Sequence, residues 1–259
     1  MRASIMMIHG MWAGGWVWSD YIPIFEERGY PCLAPTLRYH DTPPLQPPAA
    51  LGWTSLLDYA KDLHKEIQKL DQLPVLMGHS MGGMLAQMLG ARGLAKAIVL
   101  LSPMPPQGFN VISLASLLMF RQAFKQWGFW RKPTRPTLRD VVAAMLGHLP
   151  SDEQRRIYER LVHESGRVAC ETGFWFLDPH AAKYVDASRI TCPVLLVAGA
   201  EDPLHPPAMM RKVACRYEPY STYVEFPGHG HWLIGEPGWR KIAERIADWL
   251  DVIPNKENN

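Results

Sequence analysis

The chain has 259 residues, of which 47% are hydrophobic and 20% charged, with a formal net charge of +2. This is the composition of an ordinary soluble globular chain with room for one sizeable core, and the near-neutral balance gives no electrostatic reason to expect nucleic acid as a partner. No apolar run reaches the roughly 18 residues of a membrane-spanning helix, and the four cysteines (Cys32, Cys170, Cys192 and Cys215) form no CxxC pair and stand near no His at metal-ligand spacing, so they read as four reduced thiols.

The opening MRASIMMIHG has one Arg and a short apolar run but no secretory cleavage signal, so 4–10 reads as a buried strand of a cytoplasmic protein. GWVWSDYIPIFEERG (15–29) has the pattern of an amphipathic helix and PCLAPT (31–36) that of a second strand, followed by a proline-rich loop over 37–53. A helical pattern over 54–70 leads to the strand PVLMGHS (74–80), the helix MGGMLAQMLGARG (81–93) and the strand KAIVLLSP (96–103). Alternation then stops. Residues 104–190 show helical patterning with little strand character and read as an insertion between two strands. The alternation resumes with PVLLVAG (193–199), TYVEFP (222–227) and a last helix near 238–251, where Trp239, Ile242, Ile246 and Trp249 recur at helical spacing. Strands apolar on both faces and separated by helices imply a mostly parallel sheet covered on both sides, an α/β architecture. The expected division is a core of 1–103 with 191–252, a helical lid or cap of 104–190, and a flexible tail of 253–259.

The most informative stretch is MGHSMGG (77–83). It holds G-x-S-x-G as Gly78, His79, Ser80, Met81 and Gly82, after a strand and at the start of a helix. So tight a turn strains its central residue, and glycines on either side remove the Cβ clashes that would forbid it. Ser80 would then stand at the carboxyl edge of the sheet and at a helix N-terminus, where partial positive charge favours an oxyanion. A serine hydroxyl needs a base, usually His, oriented by an acid. In this strand–helix context the acid and then the His follow the Ser in the chain, and the strand ends at AEDPLHPP and GHGHWL fall where those residues are required.

Together HG (9–10), GHSMGG (78–83), GAEDPL (199–204) and GHGHW (228–232) resemble the motifs of the α/β-hydrolase family, specifically its serine esterase and lipase members. The resemblance covers the two core segments and implies a helical lid where 104–190 falls. It selects Asp202 over Glu201 as the acid, and it favours His231, which follows Gly230 and precedes Glu236-Pro237, as the base, with His229 the other candidate. It places the oxyanion-binding amides at Met81 and Met11, with His9 shaping the latter's loop. In departure from the family pattern there is no N-terminal hairpin, and Thr36 stands where an Asp is common. Asp178 and Asp186, at the insertion, are poor candidates for the acid.

Ten tryptophans are many for this length. Trp12, Trp232 and Trp175 are the candidate substrate-binding residues, Trp16 and Trp130 lie near motifs or in the insertion, and Met84 and Met88 read as core. The expectation is a carboxylic-ester hydrolase acting on small to medium apolar substrates without metal or organic cofactor. His40, Asp41 and His205 lack ligand spacing for a metal. Open alternatives are a monoacylglycerol lipase or lysophospholipase, a lyase or C–C hydrolase, a perhydrolase, and a ligand receptor. A lyase of this type pairs its His with a nearby Lys, and none follows His231 before Lys241. The segment 111–135, apolar and then basic, is a minor candidate for contact with an anionic membrane. Its plainer reading is a lid helix covering the site with its apolar face. Oligomeric state is open.

Overall fold

The computed structural model describes residues 2–253. The strand β1 (Ile5–Ile8) is followed by a single 3-10 turn (Gly15–Trp18), the short helix α1 (Ile22–Glu26) and the edge strand β2 (Cys32–Leu33). Then come α2 (Leu56–Ile67), β3 (Val75–His79), α3 (Met81–Gly90) and β4 (Ala97–Leu101). The insertion holds α4 (Leu114–Phe124), β5 (Pro133–Thr134), α5 (Leu138–Val141), α6 (Ser151–Arg160), β6 (Glu164–Ser165) and α7 (Gly166–Gly173). The chain returns to the sheet with β7 (Val194–Gly199), α8 (Pro207–Cys215), β8 (Ser221–Phe226) and α9 (Trp239–Val252).

Six strands form one sheet in the order β2-β1-β3-β4-β7-β8, and every adjacent pair is parallel. The order reverses direction between β1 and β3, and a parallel sheet gathers its strand-end loops along one edge, where such folds bind ligands. Strands β1, β3, β4 and β7 are buried along their whole length, as the two-sided apolar runs require.

Two expectations are corrected. The span 15–29 is not one helix. It breaks into the 3-10 turn and the short α1, because Pro23 enters at a helix start and can only begin a new segment. The strand expected over 31–36 shrinks to two residues, after which Thr36 turns back to accept a hydrogen bond from the Gly15 amide at 3.1 Å. The little strand character expected within 104–190 amounts to one small ladder, with β5 antiparallel to β6. Of the tail expected at 253–259, all but Ile253 lies outside the described residues.

Two buried carboxylates fasten the insertion to the sheet-bearing core. Glu164, fully buried, accepts from Tyr59 Oη at 2.8 Å and faces His40 Nε2 at 3.1 Å. Burial works against a charge on His40, but Glu164 more than offsets it and raises the His40 pKa. Glu171 accepts from Ser55 Oγ at 2.7 Å and from the Leu56 amide at 2.9 Å, at the start of α2. Its burial raises the carboxyl pKa. Breaking a buried pair leaves a charge without a partner, so Glu164→Ala is expected to lower the unfolding free energy by about 3–5 kcal/mol, read from urea denaturation. Lys69→Ala, which removes the exposed pair with Glu66, is expected to stay within about 0.5 kcal/mol of the parent chain.

Candidate active site

The turn between β3 and α3 carries Ser80 at φ 53° and ψ −118°, a conformation that a non-glycine residue adopts only when its surroundings impose it. The imposing contacts are backbone ones. A Cβ at Gly78 would collide with the Gly82 carbonyl, and one at Gly82 with the carbonyl of Ile8 on β1. The Ser80 carbonyl accepts from the amides of Gly83 and Met104 at 3.0 and 2.8 Å, and its own amide donates to Leu101 at 3.1 Å.

His231 Nε2 lies 3.0 Å from Ser80 Oγ, and His231 Nδ1 lies 2.8 Å from Asp202 Oδ2. A carboxylate only accepts, so Nδ1 carries the proton and Nε2 presents a lone pair to the serine hydroxyl. Asp202 Oδ1 is occupied by the Leu204 and His205 amides at 2.8 and 2.9 Å. Burial alone would raise the Asp202 carboxyl. The His231 ring beside it more than offsets this and holds it well below the usual carboxylate range. Glu201 is exposed and stands 3.6 Å from His148, away from the serine. Asp178 and Asp186 are taken up in local turns, with the amides of His180 and Ala182 and with Ser188. His229 directs Nδ1 to the Pro227 carbonyl at 2.9 Å, so of the two loop histidines the structure brings only His231 to Ser80.

Of the groups that hold this arrangement, the sequence points to His9 but not to Glu236, His79 or His205. Glu236, fully buried, accepts from the Gly230 amide at 2.7 Å and the Trp232 amide at 3.1 Å, gripping the backbone on both sides of His231. The Glu-Pro pair after the histidine was the only signal of it. The acid and histidine turns also join directly, through the Glu201 amide and the His229 carbonyl at 2.9 Å. Three buried histidines each bond a backbone carbonyl: His9 Nδ1 that of Gly10 at 2.8 Å, His79 Nε2 that of His231 at 2.8 Å, and His205 Nδ1 that of Ser102 at 3.0 Å. His9 Nε2 accepts from the Leu37 amide at 3.0 Å, which fixes its tautomer. The peptide it grips, Gly10–Met11, is the one whose amide the sequence placed beside the nucleophile. The Gly10 backbone packs against Ser80, since a Cβ at Gly10 would stand 3.1 Å from Ser80 Cβ. Met81 is the first residue of α3, where an amide has no acceptor within the helix.

Asp202, His205 and His231 bring their ligand atoms within 4.8 Å of one another. Most of those atoms are already engaged: both Asp202 oxygens, His205 Nδ1 on Ser102, and His231 Nδ1 on Asp202. The cluster is built as a hydrogen-bond network. His40, the other histidine considered for a metal, is held between Arg38 and Glu164.

Ser80 and His231 open into a cavity of about 220 Å³. Its walls are apolar, with Trp12 and Trp232 from the core and Met119, Phe120, Met145 and Phe174 from the insertion. Trp12 sits at φ 62° and donates Nε1 to the Thr134 carbonyl at 3.2 Å, tying the Met11 loop to the insertion. Trp175 is a correction: it lies in a 3-10 turn against Phe176, outside the cavity, and its neighbour Phe174 lines the wall instead. Trp130 lines a separate outer groove, and Trp16 stacks under Arg160. Met84 and Met88 are buried in the core, as their spacing implied.

The sequence profile of the alpha/beta hydrolase family matches residues 5–244. The chain belongs to the alpha/beta hydrolase family. Among solved structures it resembles a monoacylglycerol lipase from Paleococcus ferrophilus, at TM-score 0.70 and 23% identity over 95% of this chain and 93% of that one. It also resembles a pyrethroid hydrolase from Sphingobium faniae JZ-2, at TM-score 0.67 and 18% identity over 96% and 98%, and a methylesterase from Arabidopsis, at TM-score 0.72 and 10% identity over 97% and 100%. At such identities the likeness is one of fold. No curated protein matches the sequence.

The buried histidines make the site sensitive to acid. Burial lowers His9 and His79 to about 3 and His205 to about 4. The unfolded chain takes up these three protons near the ordinary histidine value, and the folded chain does not, so stability falls as pH drops from about 6.5 towards 4. At about 1.4 kcal/mol per proton per pH unit, three protons give a slope of up to about 4 kcal/mol per unit. Urea titrations at pH 7, 6 and 5 are expected to show this steep loss. A flat profile over that range would contradict neutral burial of the three rings.

Proposed function

We propose that the protein hydrolyses carboxylic esters of small to medium apolar substrates through an acyl-enzyme. The observation that carries this reading is the Ser80–His231–Asp202 chain at 3.0 and 2.8 Å, open to an apolar cavity. In this reading Ser80 Oγ attacks the acyl carbonyl as His231 Nε2 takes its proton. Asp202 holds the ring in the required tautomer and stabilises the imidazolium. The amides of Met11 and Met81 receive the oxyanion, a contribution of about 3 kcal/mol per donor. The protonated His231 hands its proton to the leaving alcohol. Water, activated by the same nitrogen, then attacks the acyl-enzyme and frees Ser80. No step calls for a cofactor. Trp12 and Trp232 form part of the substrate wall, and residues 104–190 act as a cap over it.

The lipases and esterases among the structural relatives accord with this reading, and the monoacylglycerol lipase extends it towards lipid-like esters. A lyase would need a lysine beside the histidine. The buried Lys183 donates to the Thr172 carbonyl at 3.3 Å and is not part of the cavity wall, so it does not supply one.

The test is a p-nitrophenyl ester series from acetate to palmitate. Ser80→Ala and His231→Ala are each expected to lose at least about 10³-fold in kcat/KM, while His229→Ala keeps the activity of the parent chain. Folded wild-type protein that hydrolyses none of the series would overturn the reading. Glu236→Ala is expected to lower kcat by roughly 10²-fold with little change in KM, because the loop that positions His231 loses its grip. An unchanged kcat would show that the loop needs no such brace.

A further inference from the structure

Helix α4 is apolar nearly all round, yet only Met119 and Ala123 on it are buried. A helix of that kind needs cover on both sides. One side faces the catalytic cavity. Cover is missing elsewhere: Leu114 is 76% exposed, Leu117 and Phe124 at the cavity mouth are exposed as well, and Trp127, three residues past the helix, is 88% exposed. Phe176 (61%) and Leu177 (71%) add to the bare surface from the turn after α7.

These residues are continuous with the cavity. Ring contacts run from Trp12 to Phe120 (5.4 Å), to Phe124 (6.5 Å), and on to Phe129 (5.3 Å) and Phe174 (6.1 Å). Phe129 meets Trp130 and Trp130 meets Trp127, while Phe174 meets Phe176. Ile112, Leu117 and Phe124 are both exposed and part of the cavity lining, so they form its rim. An apolar face joined to a pocket mouth marks a contact surface rather than scattered exposure.

The charge of the same segment is one-sided. Residues 103–139 contain six basic residues and no Asp or Glu. Arg121 is held by Asp140, and Arg131 and Arg135 lie over the rings of Trp53 and Tyr158. Lys125 and Lys132 are exposed and make no ion pair among the described residues. Exposed Trp, Phe and Leu beside free lysines are the chemistry of a lipid interface.

We propose that this face docks on an anionic phospholipid bilayer and lets apolar esters pass from it over the Ile112–Leu117–Phe124 rim into the cavity. What passes rests on the ester-hydrolase reading. The docking does not. A second copy of the chain fits the face less well, because a two-fold contact would set lysines against lysines.

Vesicle flotation separates the two claims. Wild type is expected to float with vesicles of phosphatidylcholine and phosphatidylglycerol far more than with phosphatidylcholine alone, and added salt should weaken this. Lys125→Glu with Lys132→Glu is expected to reduce partitioning at least about twentyfold, since each cation near an anionic surface is worth about fivefold. Trp127→Gln with Phe176→Gln is expected to reduce it by a similar factor. Both double variants should hydrolyse a water-soluble short ester like wild type when no vesicles are present. No partitioning into either vesicle overturns the proposal. So does partitioning that both double variants leave unchanged, or a concentration-dependent dimer that Trp127→Gln with Phe176→Gln dissociates while vesicles bind nothing. Flotation without hydrolysis of any ester would leave the docking standing and remove the hydrolase reading.

Discussion

The arrangement depends on one strained residue. Ser80 occupies a left-handed backbone conformation that a residue with a side chain pays for unless its neighbours enforce it. They do so by close packing. Gly78 and Gly82 bring the turn against its own carbonyl and against β1, so the serine cannot relax without parting β1 from α3. The parallel sheet makes this possible, because β1, β3, β7 and β8 all end at the same edge. That edge supplies the Met11 loop, the serine, the acid turn and the histidine loop. The fold is therefore the means by which four sequence-distant turns gather around Ser80.

Around that point, buried polar groups act on backbone rather than on substrate. Glu236 holds the amides on either side of His231, His79 holds the His231 carbonyl, and His9 holds the Gly10 carbonyl next to the Met11 amide. Each is nearly or fully buried and each is satisfied, which is the condition under which a polar core group sharpens a structure instead of weakening it. The same logic fastens the insertion, where Glu164 and Glu171 reach across to Tyr59, His40, Ser55 and Leu56. The insertion can then form most of the cavity wall without an extended sheet of its own.

The sequence made the core legible because the signals were redundant. Two-sided apolar strands, G-x-S-x-G between a strand and a helix, and the order of Ser, acid and His all pointed to one architecture, and Ser80, Asp202 and His231 do meet. The choice of His231 over His229 came from a family pattern, and the geometry supports it through Asp202. What stayed hidden depends on contacts between distant segments. Nothing local marks Glu164 as a partner of His40, or Glu171 as a partner of Ser55. Trp175 carried the same aromatic signal as Phe174, and the direction in which α7 ends decides which of them faces the cavity. The span 15–29 misled because its apolar spacing suits a helix, while Pro23 allows a helix only to begin there.

In the proposed mechanism everything turns on Ser80 being a nucleophile activated by His231. Intact-mass measurement after exposure to an excess of an alkyl p-nitrophenyl phosphonate tests it most directly, because the adduct on an activated serine is stable. Wild type is expected to carry one phosphonyl group, located at Ser80 by peptide mapping, with none on Ser80→Ala and labelling slowed by orders of magnitude in His231→Ala. Folded wild-type protein that stays unlabelled, or that carries the group on another residue, would contradict it.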